Sequence, residues 1–380
     1  MADKLKEQLK RLHDTGARRF LIVGVAQIGC TPGQRAKNSM HECDEEANTW
    51  GSLYNEALVK MLQQLKEELG SSMTYSYFDN FNSLHDIVTN PARYAEKIGL
   101  PLPPPYLSLR GLLKWRKRES AAVTGVNFAS GGAGIFDGSS QFPGQAIPLS
   151  QQMKHWLSIH KALTRKLGRS KAQIHLSKSL FVMVIGSNDL LNYIRSSQLR
   201  RKSTPQQYTQ SVVDRFKAQF KTVQETGSRR FLILGVAELG CMPSRREKNS
   251  TTHECNKEAN MLASLYNKAL IKMLQQLKEE LKSSMAYSYF DMFNSVHDIV
   301  SNPTHYGFSD VTSACCGSGV LNAELPCFPV SNLCSDRTKY LFWDRYGHPT
   351  EAAARTIVNF VLSEDTQYSS PLTLTQLVSS

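Results

Sequence analysis

Between Glu258 and Leu281, apolar residues recur three and four positions apart: Leu262, Leu265, Tyr266, Ala269, Leu270, Met273, Leu274 and Leu277. That spacing predicts a long amphipathic helix with one buried stripe. Asp214 to Val223 has helical spacing too, and Thr226-Gly227 marks its end. Leu180 to Ile185 and Phe231 to Val236 are short unbroken apolar runs, the pattern of strands covered on both faces. Tyr287 to Phe290 reads as a further strand, and Asn294 to Val300 and Glu351 to Leu362 as helices. Helix and strand patterns alternate, which predicts an α/β fold with a mostly parallel sheet. Such sheets carry functional loops at the carboxyl ends of their strands.

Much of the pattern occurs twice. ARRFLIVGVAQIGC (Ala17 to Cys30) returns as SRRFLILGVAELGC (Ser228 to Cys241), and NEALVKMLQQLKEEL (Asn55 to Leu69) as NKALIKMLQQLKEEL (Asn267 to Leu281). SYFDNFNSLHDIVTNPARY (Ser76 to Tyr94) returns as SYFDMFNSVHDIVSNPTHY (Ser288 to Tyr306). Two long units are not a solenoid, which needs short periods and three or more repeats. The first copy stops at Tyr94 and gives way to the proline-rich AEKIGLPLPPPYLSL (Ala95 to Leu109), which has no counterpart after Tyr306. The expected division is residues 1–94 as a partial duplicate, 95–362 as the main domain, and a polar, Ser/Thr-rich tail, 363–380, as disordered.

With 380 residues and 41% apolar content, the chain can bury a substantial core. No apolar run approaches the ~18 residues of a membrane span. The charged start, MADKLKEQLKRLHD, is not a secretory signal. A net charge of +12 is compatible with acidic partners or anionic membrane surfaces. Its basic clusters, Leu113 to Ser120 and Arg195 to Lys202, have little aromatic interleaving and no nucleic-acid motif, so they read as solvated surface. The eight cysteines show no zinc spacing. Their even number in loop-like sequence reads as disulfides in an oxidising compartment, with Cys241 and Cys255, and their copies Cys30 and Cys43, closing short loops.

Three segments offer chemistry. GVNFASGGAGIFDG (Gly125 to Gly138) runs from a short strand into a glycine-rich turn, where backbone N–H groups can approach a developing anion. LFVMVIGSNDLLNY (Leu180 to Tyr193) places Asn188 at the end of a buried strand, where its amide could donate to an oxyanion or simply cap a turn. YLFWDRYGHPTEAAA (Tyr340 to Ala354) holds Asp344 and His348 before a helix start. An aspartate on one imidazole nitrogen leaves the other to act as general base, although such a histidine can also be purely structural.

Together these segments resemble the plant GDSL esterase/lipases, a branch of the SGNH hydrolases. LGVAELGCMPSRR, ACCGSGVLNAELPC and GLPLPPPYL are also similar to that family. The resemblance covers roughly Ala95 to Leu362, with the first repeat as a further partial copy. It implies a flavodoxin-like three-layer α/β/α sandwich and hydrolysis of lipid, acyl or acetyl esters by a Ser-His-Asp triad. In that scheme Asp344 and His348 are catalytic, and Gly131 (with Gly132 as close competitor) and Asn188 form the oxyanion hole. No metal or organic cofactor is implied, the partner is a small ester or lipid substrate, and the family location is extracellular.

Two departures matter. The family's last block is usually Asp-x-x-His, whereas Gly347 makes it Asp-x-x-x-His here, an insertion a glycine can absorb. More gravely, no Gly-Asp-Ser, the nucleophile motif, occurs in the sequence. Ser130, Ser139 and Ser187 do not sit on the expected strand-to-helix turn, so no nucleophile is assigned. The copied strand Phe20 to Val25 is expected to replace the missing first strand of the sheet, with Thr31 as its nearest hydroxyl. An impaired esterase, an ester-binding pseudoenzyme and a fused or mis-spliced gene product all remain compatible with the sequence.

Overall fold

The computed structural model describes residues 2–23, 25, 28, 44–78, 103–111, 114–140, 146–281, 284–328 and 330–379. The chain divides into two compact units, Met1–Leu102 and Pro103–Ser380. In the first unit, helix α1 (Ala2–Asp14) leads to strand β1 (Arg19–Val23), helix α2 (Glu45–Leu69) and strand β2 (Thr74–Phe78). Strands β1 and β2 pair in parallel, Arg19 opposite Thr74 and Val23 opposite Phe78. The apolar stripe of α2, with Leu58, Met61, Leu62 and Leu65, packs with Leu9, Ile22 and Met73 into a small core.

This pairing corrects the expectation for Phe20 to Val25. The copied strand lies in a two-stranded sheet of its own and does not fill a gap in the main sheet. The reason is local: the copy brought its neighbouring strand Thr74–Phe78 along with the connecting helix, and a complete strand–helix–strand unit pairs with itself. Thr31 and the pair Cys30 and Cys43 lie outside the described residues.

The second unit begins with helices α3 (Trp115–Thr124), α4 (Leu149–Leu167) and α5 (Arg169–Lys178), followed by strand β3 (Leu180–Val184). Helices α6 (Ser187–Arg195), α7 (Ser197–Lys202) and α8 (Pro205–Glu225) precede strand β4 (Arg230–Leu234). The short α9 (Pro243–Arg246), the long α10 (Lys257–Leu281), strand β5 (Ala286–Phe290) and α11 (Met292–Ser301) follow. Short strands β6 (Asp310–Ala314), β7 (Cys316–Gly317), β8 (Asn332–Leu333) and β9 (Tyr340–Phe342) lead to α12 (Glu351–Leu362), β10 (Ser369–Pro371) and α13 (Leu374–Ser379).

The central sheet runs β10-β5-β4-β3, with β3, β4 and β5 parallel and β10 antiparallel at the margin. Side chains alternate across it. Phe231 and Ile233 face a core with Trp156 and Leu163 of α4, Phe216 and Phe220 of α8, and Tyr266 and Leu274 of α10. Leu232 and Phe290 face the opposite side, against Ile357 and Phe360 of α12 and Leu374 and Leu377 of α13. The result is a three-layer α/β/α sandwich, as expected.

The polar tail does not stay disordered. Ser369–Pro371 adds a strand to β5, and Tyr368, Leu374 and Leu377 are buried. A few well-spaced apolar residues inside Ser/Thr-rich sequence suffice to dock it. At the other margin, β3 pairs with β4 alone among the described residues. Its Phe181 and Met183 join the core, while Val182 and Val184 are 56% and 63% exposed.

Among the described residues, three disulfides join Cys241 to Cys255, Cys315 to Cys334 and Cys316 to Cys327.

Candidate functional site

Residues Asp344 and His348 come from the turn between β9 and α12. Thr350 caps α12, accepting from the Ala353 N–H at 3.2 Å, and so fixes where the helix starts. Upstream, the Trp343 N–H donates to the His348 carbonyl at 2.7 Å and the Gly347 N–H to the Asp344 carbonyl at 3.1 Å. This folds the three residues between the acid and the imidazole into a tight loop. Gly347 has φ +76°, and a Cβ there would stand 2.7 Å from Met242 Cγ. The additional residue of Asp-x-x-x-His is thus accommodated by left-handed backbone pressed against a neighbouring side chain.

The carboxylate of Asp344 has two tasks. Its Oδ1 accepts from the backbone N–H groups of Tyr346 (2.9 Å) and His348 (3.3 Å). Its Oδ2 lies 2.7 Å from His348 Nδ1. Asp344 is largely buried, while the imidazole side chain is 69% exposed. With Nδ1–H donating to the aspartate, Nε2 carries the lone pair. The hydrogen bond to Asp344 raises the His348 pKa above its ordinary value, with burial opposing and the carboxylate charge adding to the rise.

The glycine loop and Asn188 form the other half. Asn188 lies in the first turn of α6, just past the end of β3, and donates from Nδ2 to the Ala133 carbonyl at 2.9 Å. An amide has two N–H donors, so the second remains for another acceptor. Gly131 is exposed and a Cβ on it would meet open space. At Gly132 a Cβ would meet Ser140 Oγ at 3.3 Å.

The residue that ties this half together is Asp189, to which the sequence reading assigned no role. It is fully buried, and it accepts from the Ile135 N–H (2.8 Å), the Phe136 N–H (2.9 Å) and the Ser139 hydroxyl (2.5 Å). Burial raises its pKa, and the hydrogen bonds from Ser139, Phe136 and Ile135 counter the rise. The only signal in the sequence was its place directly after Asn188.

Two of the three serines weighed as substitutes are otherwise engaged. Ser139 Oγ is given to Asp189, and Ser130 Oγ accepts from the Ile147 N–H at 2.9 Å. Ser187 begins α6. The structure therefore brings Asp344 to His348, and Asn188 to the glycine loop. Arg195 at the end of α6 donates to the Ser139 carbonyl at 3.5 Å; burial lowers its pKa, and the charge of Tyr346 opposes that. The first turn of α9 braces the histidine turn, with the Ser244 N–H on the Arg345 carbonyl at 3.1 Å. Among the described residues, no three His, Cys, Asp or Glu side chains gather to hold a metal ion, and no helix is long and apolar enough to cross a membrane.

A mostly parallel three-layer sheet with an aspartate-held imidazole at a strand end is an arrangement suited to hydrolysis through a general base. Sequence comparison makes the assignment specific. The profile of the GDSL-like lipase/acylhydrolase family matches residues 1–92 and again 69–361. GDSL esterase/lipase At5g55050 of Arabidopsis thaliana is 69% identical over 285 residues, covering 75% of this chain and 76% of that protein. Two others from the same plant, At4g16230 and At4g28780, are 31% and 32% identical over 306 and 308 residues, each covering 79% of this chain and 80% and 79% of those proteins. The chain belongs to the GDSL esterase/lipase family, a family of ester hydrolases.

Proposed function

We propose that this chain binds carboxylic esters of the lipid, acyl or acetyl kind at the Asn188–His348 face, and that covalent turnover there is strongly impaired. The observation that carries the reading is a general base and oxyanion donors retained without a serine to serve. His348 is held by Asp344 with Nε2 open, yet Ser130 and Ser139 are bound elsewhere, and no Gly-Asp-Ser is present. In a complete site the serine adds to the carbonyl, His348 takes its proton, and Gly131 N–H with the Asn188 amide stabilises the tetrahedral oxyanion. Without the nucleophile, what remains is polarisation of a bound carbonyl and activation of water, on the order of 10³-fold over the uncatalysed rate. A binding role without turnover is the natural second reading, since the same face can hold an ester unchanged. The three disulfides support an oxidising, extracellular-type location.

A p-nitrophenyl ester assay on the full chain, with His348→Ala beside it, tests this. The expected result is that whatever turnover His348→Ala removes lies far below the ~10 per second of an ordinary enzyme. Turnover at that ordinary level, lost in His348→Ala, overturns the reading.

A further inference from the structure

A second acid–histidine–serine array stands elsewhere in the second unit, and nothing in the Asp344–His348 site uses it. Glu238 follows β4, at the carboxyl end of a parallel strand, and is only 7% exposed. Its Oε1 lies 3.2 Å from His297 Nδ1 and accepts from Asn260 Nδ2 at 3.1 Å. Its Oε2 sits 3.3 Å from Cys241 Sγ, a disulfide sulfur. The carboxylate is therefore fixed from several sides. His297 and Ser301 are one helical turn apart on α11, and Ser301 Oγ lies 3.4 Å from His297 Nε2.

Beside this array is a cavity of about 590 Å³, whose lining includes Glu238 and His297, the apolar Met261, Phe293 and Val300, and the oppositely charged Lys257 and Glu254. That volume is in the range of small-molecule sites. Ser301 follows the lining residue Val300 directly and is exposed. The array supplies three parts of a nucleophilic centre, namely a buried acid that sets the tautomer, a half-exposed imidazole and a hydroxyl within reach, beside an apolar wall. The first repeat lacks it, since Gln27 stands where Glu238 does and Thr89 where Ser301 does.

We propose that Ser301, His297 and Glu238 form a second hydrolytic centre that acts on small acyl esters independently of the His348 site. Ser301 Oγ adds to the ester carbonyl carbon as its proton passes to His297 Nε2. The bond to the alcohol oxygen then breaks, and the departing alkoxide takes that proton. Water adds to the acyl-serine with His297 as base, releasing the carboxylic acid and restoring the Ser301 hydroxyl. Glu238 holds Nδ1–H throughout and balances the imidazolium.

The test uses the full chain with a fluorescent alkyl fluorophosphonate, which phosphonylates activated serines, followed by peptide mass spectrometry. The expected adduct is on Ser301 and is lost in His297→Ala. Hydrolysis of p-nitrophenyl butyrate is expected to fall by about 10²-fold in Ser301→Ala and to fall likewise in Glu238→Gln, the residue that the repeat itself carries at this position. Ser301 is exposed at a helix end, so its alanine variant leaves the core untouched. Undiminished hydrolysis in Ser301→Ala overturns the proposal. An adduct on a different serine, dependent on His348, overturns both this proposal and the impaired-site reading. Absence of any adduct together with absence of hydrolysis overturns this proposal alone.

Discussion

Asn267 closes on Val236 with both ends of its side-chain amide. Oδ1 accepts from the Val236 N–H and Nδ2 donates to the Val236 carbonyl, each at 2.8 Å. Asn55 holds Val25 in the first unit with the same two bonds, both 2.8 Å. In each copy the chain leaves its strand at this point, where the sheet ladder no longer satisfies backbone groups. The long helix thereby fixes the direction in which the loop toward Glu238 departs.

Asn267→Ala is expected to leave two buried backbone groups unpaired and to cost about 2–4 kcal/mol. A lower urea midpoint with an unchanged slope is the expected result. An unshifted midpoint would show that water or a relaxed loop replaces the clasp.

Removing Asp189 acts on the site and on the fold together. Asp189→Ala strands two N–H groups and the Ser139 hydroxyl in the core, at roughly 1–3 kcal/mol each. The amides of Ile135 and Phe136 are expected to exchange with deuterium much faster in this variant than amides of β4. Equal protection of both regions would mean that the glycine loop holds its shape without the carboxylate.

For His348 the direction of titration follows from its bond to Asp344. Its pKa is raised in the folded state, so its contribution to stability is complete below the unfolded value of about 6.5. That contribution fades as pH rises through the higher folded value. Base function follows the opposite course and sets in only above the folded value. An NMR titration should place the imidazole midpoint above 6.5 and move it down in Asp344→Asn. A midpoint that ignores Asp344→Asn would contradict the pairing.

Gly347→Ala tests the turn that carries the histidine. The substitution costs roughly 1–2 kcal/mol for left-handed backbone, and a clash with Met242 adds to that. Met242→Ala in the same chain is expected to relieve the clash but not the backbone cost, so rescue should be partial. Full rescue would mean that the backbone is not strained by a side chain there.

The parts of this molecule that were legible in sequence are those whose partners are near in sequence or repeat with a period. The helix read as Glu258 to Leu281 spans Lys257–Leu281, and the strand read as Phe231 to Val236 spans Arg230–Leu234. Asp344 and His348 could be paired by eye because one turn separates them. Asp189 could not, because the groups it binds lie about 50 residues upstream. The copied strand misled for a related reason. Apolar runs such as Phe20 to Val25 mark a buried strand but carry no label for their neighbour, and Thr74–Phe78 was the neighbour at hand. The tail misled through composition, since Tyr368, Leu374 and Leu377 are too few to outweigh the polar residues around them in any average.

The two margins of the central sheet are not alike. On one side the docked tail acts as a hem, with β10 covering β5. On the other, among the described residues, β3 ends the weave with its backbone ladder open and two valines facing out. A cloth finished along one border only can be extended along the other, and open strand edges invite such growth. Concentrated solutions of this chain are therefore expected to lose soluble protein with time. Val184→Lys, which sets a charge on the raw border, should slow that loss without altering the thermal midpoint.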